Sequence, residues 1–211
     1  MGVTLRPGLP LAVAITVLSA APARAQHWVL TLTPFAGAYV PTKPLGDVAV
    51  PAGPNTNFLV ESKSGGAFGA KLGLSSRGRR WGLEGTYFLA SSKTRTSVGL
   101  LSHEDKGEVQ GGSLKAVFRV TDGKTDTDFF VSAGVSGQSH SGDVIVLKTS
   151  QNKFDVGGVV GLGLHLTLSP QVTFRLDTDA SFYSWSYAKG LPSTRQVDFL
   201  IAAGLGLKLG R

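Results

Sequence analysis

Side chains alternate in polarity along most of this chain, and nothing constrains its fold more. In "GLGLHLTLSPQVTFRLDTD", residues 161–179, Leu162, Leu164, Leu166 and Leu168 share one face, while Gly161, Gly163, His165 and Thr167 share the other. Beyond Ser169-Pro170-Gln171 the alternation resumes, with Val172, Phe174 and Leu176 set against Thr173, Arg175, Asp177 and Asp179. A period of two is the mark of a β-strand with two unlike faces. It does not say which face is enclosed. A soluble sheet buries its leucines, whereas a membrane barrel turns them to lipid and encloses its charges.

The same pattern recurs eight times, over approximately 28–40, 64–76, 81–92, 108–121, 127–139, 153–168, 171–185 and 195–209. Phe68, Ala70, Leu72 and Leu74 oppose Gly69, Lys71 and Gly73. Trp81, Leu83, Tyr87 and Leu89 oppose Glu84, Thr86 and Phe88. Leu114, Ala116, Phe118 and Val120 oppose Ser113, Lys115 and Arg119. Phe129, Val131, Ala133 and Val135 oppose Asp128, Ser132 and Ser136. The last strand sets Val197, Phe199, Ile201, Ala203, Leu205, Leu207 and Leu209 against Asp198, Ala202, Gly204, Gly206 and Lys208. The first, "WVLTLTPFAGAYV", does not declare its faces.

Three further observations favour lipid over water. The connections alternate between long (41–63, 93–107, 140–152) and short ("SRGRR", "DGKTDT", "SPQ"), as in outer-membrane barrels with surface loops at one end and tight turns at the other. Charged residues are 17% of the chain, below the roughly 25% usual for soluble domains, and many of the 28 glycines lie inside strands. The N-terminus carries Arg6, an apolar run from Leu9 to Ala21 and the small-x-small triplet Ala23-Arg24-Ala25, the pattern of a secretory signal peptide cut after Ala25. The domains are therefore a signal peptide, 1–25, and a barrel, 26–211. Loss of Arg6 and Arg24 takes the net charge from +7 to +5. The chain has no cysteine, so neither disulfides nor thiolate metal sites hold it together. Trp28, Tyr39, Trp81, Tyr87, Tyr183, Trp185 and Tyr187 near strand ends are read as interfacial girdles.

The N-terminal "LTPFAGAYVP", the repeated Gly-x-Gly strand centres and the C-terminal "AAGLGLKLGR" carry a resemblance to the small OmpA/OmpX/OmpW-like outer-membrane β-barrels of diderm bacteria. It covers residues 26–211. Gly204, Leu207 and Leu209 fit the family's last strand, which usually ends in an aromatic residue where this chain ends in Gly210-Arg211. The expected fold is all-β: an eight-stranded antiparallel up-and-down transmembrane barrel behind a cleaved signal peptide.

Eight strands enclose a lumen that side chains fill, and charges inside one must pair. The expected lumenal polar network is Lys71, Glu84, Lys115, Arg119, Asp128, Asp155, His165, Arg175, Asp177, Asp179, Asp198 and Lys208. Reactive motifs are sparse. His27, His103, His140 and His165 lack zinc-ligand spacing. "DGKTDTD" lacks the closing Glu of a calcium loop. "GLGLHL" and "GLGLKL" precede no helix, so they are not nucleotide sites. No Gly-x-Ser-x-Gly elbow occurs. Arg77, Arg79 and Arg80 cluster in one turn, a headgroup anchor or a partner site.

The expected role is structural or surface-interacting, without catalysis, cofactor, metal or nucleic acid. The expected partners of this monomer are outer-membrane lipids, including lipopolysaccharide, and the barrel assembly machinery. A narrow OmpW-like channel for small or hydrophobic solutes is the alternative, and a lipid-modifying enzyme, with His165 as base, ranks last. The expected location is the cell outer membrane.

Overall fold

A computed structural model describes residues 28–42, 46–49, 57–76, 80–98, 101–121, 126–142, 154–185 and 194–209. The expected signal peptide, Arg77 and Arg79, and most of "DGKTDT" lie outside them. Ten strands are present among the described residues: β1 (Trp28–Pro41), β2 (Gly46–Ala49), β3 (Asn57–Lys63), β4 (Gly65–Ser76), β5 (Trp81–Val98), β6 (Leu101–Arg119), β7 (Thr127–Gly142), β8 (Phe154–Thr167), β9 (Val172–Trp185) and β10 (Thr194–Leu209). Eight of them close into an antiparallel barrel in the order β1-β4-β5-β6-β7-β8-β9-β10, with β10 returning to β1 through pairs such as Leu32↔Leu207 and Ala38↔Ile201. Closure leaves no unpaired edge at membrane depth, where an open backbone would find no water.

The side-chain faces follow the alternation. Leu162 is 61% exposed on the outside, and Leu114, Phe68 and Val160 are exposed with it. Lys71 and Lys115 are each 1% exposed on the inside. The first strand now has its faces: Thr33, Phe35 and Tyr39 point inward, and Leu32, Pro34 and Ala36 outward. No described helix is long and apolar enough to cross a membrane; the crossing elements are strands.

The structure corrects two expectations. Residues 93–107 were expected as a loop, but β5 and β6 run on through them as a paired ribbon from Ser92↔Gly107 to Val98↔Leu101. The connection 41–63 contains β2 and β3, and β3 pairs with the upper part of β5 from Phe58↔Val98 to Lys63↔Lys93. Over 91–98, "SSKTRTSV", both parities are polar as far as Ser97, so hydrophobic periodicity does not reveal the ribbon. At the opposite end the turn at Ser169 is tight. Its hydroxyl accepts from the Val172 N–H at 3.1 Å, and its backbone pairs with Val172 in both directions. A hydroxyl that caps its own turn fixes the register of β8 against β9.

Candidate functional site: the lumen

The lumen is built in tiers, because each inward position on a strand meets its neighbours at one height. Lowest lie Arg119, Asp128, His165 and Lys208. Asp128 accepts from the Thr121 hydroxyl at 2.9 Å. Arg119 and Asp128 flank one turn, yet among the described residues they form no ion pair with each other. His165 stacks on Phe130 with ring centroids 4.6 Å apart and lies opposite Arg175 in register. This tier lines a cavity of about 90 Å³ that also touches Thr31 and Thr173 and, above, Glu84 and Arg175.

Above it six charges close a ring. Lys71 donates to Asp177 and, at 3.3 Å, to Asp179. Lys115 bridges Asp179 at 2.6 Å and Glu84 at 3.2 Å. Arg175 presents two nitrogens to Glu84, one at 3.0 Å, and reaches Asp177 at 2.7 Å and 3.0 Å. Three cations and three carboxylates thus alternate around the lumen, with formal charge zero and every side chain buried. The guanidinium of Arg175 also lies 4.6 Å over the Phe130 ring, and Lys71 lies 5.2 Å over Phe35. Bidentate pairing and stacking suit a planar guanidinium and would not suit a lysine at position 175.

Over the ring the lumen turns apolar. Phe35, Phe88, Ala67, Val109, Leu200 and Ala202 pack together across it. The aromatic rings need wall space, and glycine provides it. A Cβ on Gly111 would stand 2.5 Å from the Phe88 ring, and one on Gly163 would stand 2.6 Å from Phe130. Close approach of rings to backbone is thus one physical cause of the glycine-rich strand centres.

Highest is a second polar cluster. The hydroxyls of Tyr39 and Tyr183 both donate to Oδ2 of Asp198, which also accepts from Gln138 at 3.3 Å. His140 Nε2 lies 3.3 Å and 3.4 Å from the two tyrosine oxygens. Asp155 is buried at this level, opposite Gln138 in register. Tyr39 and Tyr183 were expected in the aromatic girdle, and the structure places them inside. Trp28 and Trp81 do face outward at the short-turn end, edge to face at 5.8 Å, and Tyr87 is also outward. The side chain of Trp185, and all of Tyr187, lie outside the described residues. Of the twelve residues expected in the lumen, six meet in the ring, four lie below it, and Asp155 and Asp198 lie above.

No protein-family model matches the sequence, and no curated protein is significantly similar to it. Solved structures do match. Outer membrane protein OprG from Pseudomonas aeruginosa superposes with a TM-score of 0.64, over 88% of this chain and 97% of that one, at 12% identity. Outer membrane protein AlkL, solved in lipid bilayers, superposes with a TM-score of 0.56 over 88% of this chain and 92% of that one, at 13% identity. The chain is a small outer-membrane β-barrel in fold. Likeness at this identity carries the architecture alone, so the barrel's role has to come from its own lumen and rim. The apolar outside and charge-bearing inside are those of a transmembrane barrel.

Proposed function

We propose that the protein resides in the outer membrane as a closed, non-catalytic barrel with a structural or surface-interaction role, holding the β2-β3-β5-β6 ribbon above the membrane. One observation carries this reading: the charge ring and the apolar layer above it lie across the lumen with every one of their side chains buried. The cavity beneath ends at that ring and is a vestibule rather than a passage. The proposal includes a monomer, since β1 and β10 of one chain close the wall, with outer-leaflet lipids as its neighbours and the barrel assembly machinery as its route into the membrane. His165, the one histidine considered as a base, is stacked inside the lumen away from lipid, which counts against a lipid-modifying role.

Planar-bilayer recording tests the closed lumen. The purified protein is expected to produce no unitary current steps above the bare-bilayer baseline. Reproducible steps that shift when Arg175 or Glu84 is substituted would establish conduction through the ring, and the channel reading would replace this one.

A further inference from the structure

The pairing of β3, β5 and β6 sets three lysines side by side. Lys63 lies opposite Lys93, and Lys93 lies opposite Lys106. All three are on the outer face, since Ser62 meets the buried Ser92 hydroxyl on the other side at 2.8 Å. Like charges directly opposite in a sheet repel. Lys63 is relieved by Glu104 at 2.5 Å, which Arg95 also approaches at 4.0 Å. The Lys63 ammonium holds the Glu104 carboxyl below the usual carboxylate range. Lys93 and Lys106 have no ion pair within 4 Å among the described residues. They line an open groove of about 600 Å³ with Ser91, Gly65, Ser141 and Glu108. The Ser91 hydroxyl donates to the Gly66 carbonyl at 3.3 Å and the Ser141 hydroxyl to the Glu108 carbonyl at 3.4 Å. Lys63, Lys93, Arg95 and Lys106 thus share this face with Glu104 and Glu108, and Glu61 lies opposite Arg95 in register, away from the Lys93–Lys106 pair.

The height of the pair selects its counter-ion. The outward apolar positions of β5 end at Leu89, four residues before Lys93. That is about 13 Å of strand, or roughly 9–10 Å of height at the usual barrel tilt. The polar layer on each side of the hydrocarbon is about 5–8 Å thick, and lysine stems bend back toward it. We propose that Lys93 and Lys106 clamp the phosphate of an anionic lipid headgroup in the leaflet on the ribbon's side. The lipid's acyl chains lie against the apolar wall below, and its phosphate occupies the groove between the two ammonium groups. The clamp rests on the membrane placement proposed above, which membrane fractionation tests separately.

The test compares the wild type with Lys93→Gln/Lys106→Gln in nanodiscs of phosphatidylcholine, with and without diphosphorylated lipid A. Lipid A retained after detergent extraction is counted by native mass spectrometry. With about 1 kcal/mol of attraction per lysine near an anionic surface, the double variant is expected to lose about thirtyfold in lipid A affinity. In pure phosphatidylcholine the same variant should unfold at a slightly higher temperature than wild type, because the repulsion has gone, and with lipid A present the order should reverse. Both lysines are exposed, so retention of the heat-dependent gel shift shows that the variant folds. Unchanged lipid A retention overturns the clamp. So does competition by soluble pyrophosphate at the affinity of lipid A, which would mark the lysines as a site for free anions.

Discussion

Replacing Arg175 with leucine is expected to lower the free energy of unfolding by about 3–5 kcal/mol, the usual cost of removing one partner from a buried charge network. Arg175 supplies both nitrogens that reach Glu84 and two that reach Asp177. Its loss leaves two ring cations against three carboxylates, all of them buried. Removing a neutral pair should hurt less. In Arg175→Met/Glu84→Gln the remaining Lys71, Lys115, Asp177 and Asp179 still balance, and Asp179 still joins the two lysines. The double variant is therefore expected to recover part of the single variant's loss, which is the signature of residues sharing one network. Urea unfolding of protein folded in detergent or bilayers measures both. A wild-type midpoint for Arg175→Leu would mean that the lumen admits enough water to solvate Glu84, and the sealed interior would be wrong.

On the outer wall, Leu162→Arg is expected to cost about 2–4 kcal/mol in a bilayer, the penalty for a charge on the lipid face near the midplane. Leu162 is 61% exposed and lies midway along the outward residues of β8. In water such a site would accept arginine within about 0.5 kcal/mol. The substitution thus reports the solvent outside the barrel, whereas Arg175 reports the solvent within it. The same change at Ser91, above the apolar band, should be nearly neutral. Equal midpoints for Leu162→Arg and the wild type in lipid bilayers would argue that this wall does not face hydrocarbon.

Parity made the barrel legible in the sequence. Counting in twos gives Val172 to Asp177, and Asp179, their sides, and the last strand follows the same rule from Val197 to Leu209. The same count, continued from Asp179, puts Tyr183 on the lumenal side, whereas its chemical type, a tyrosine near a strand end, suggests the girdle. The structure shows that spacing outranks residue type here, because a one-residue slip would invert the whole strand. Counting does not reveal partners across the lumen. Glu84 and Lys115 are direct neighbours in register, but Lys71 meets Asp177 and Asp179 at sequence separations of 106 and 108. That distance depends on how the sheet curves, which no local pattern records. The ribbon of 93–107 was missed for a different reason. Outside the membrane neither face of a strand needs to be apolar, so "SSKTRTSV" carries β-structure without a hydrophobic period.

The charge ring has a consequence for the order of assembly. Its members come from β4, β5 and β6 on one side and from β9 alone on the other. The Lys71, Lys115 and Arg175 contacts that complete it span 106, 64 and 91 residues. Hairpins can form early from local pairing, and β5–β6 can join Lys115 to Glu84 on its own, but Lys71 of β4 meets its ring carboxylates only when β9 arrives. Contacts of such sequence separation form late and slowly. A half-built barrel would hold Lys71 and Lys115 against Glu84 alone, so its inner face must stay wet until β9 supplies Asp177 and Asp179. Expulsion of that water is then coupled to closure, and a partly inserted sheet has no dry resting state short of the complete barrel.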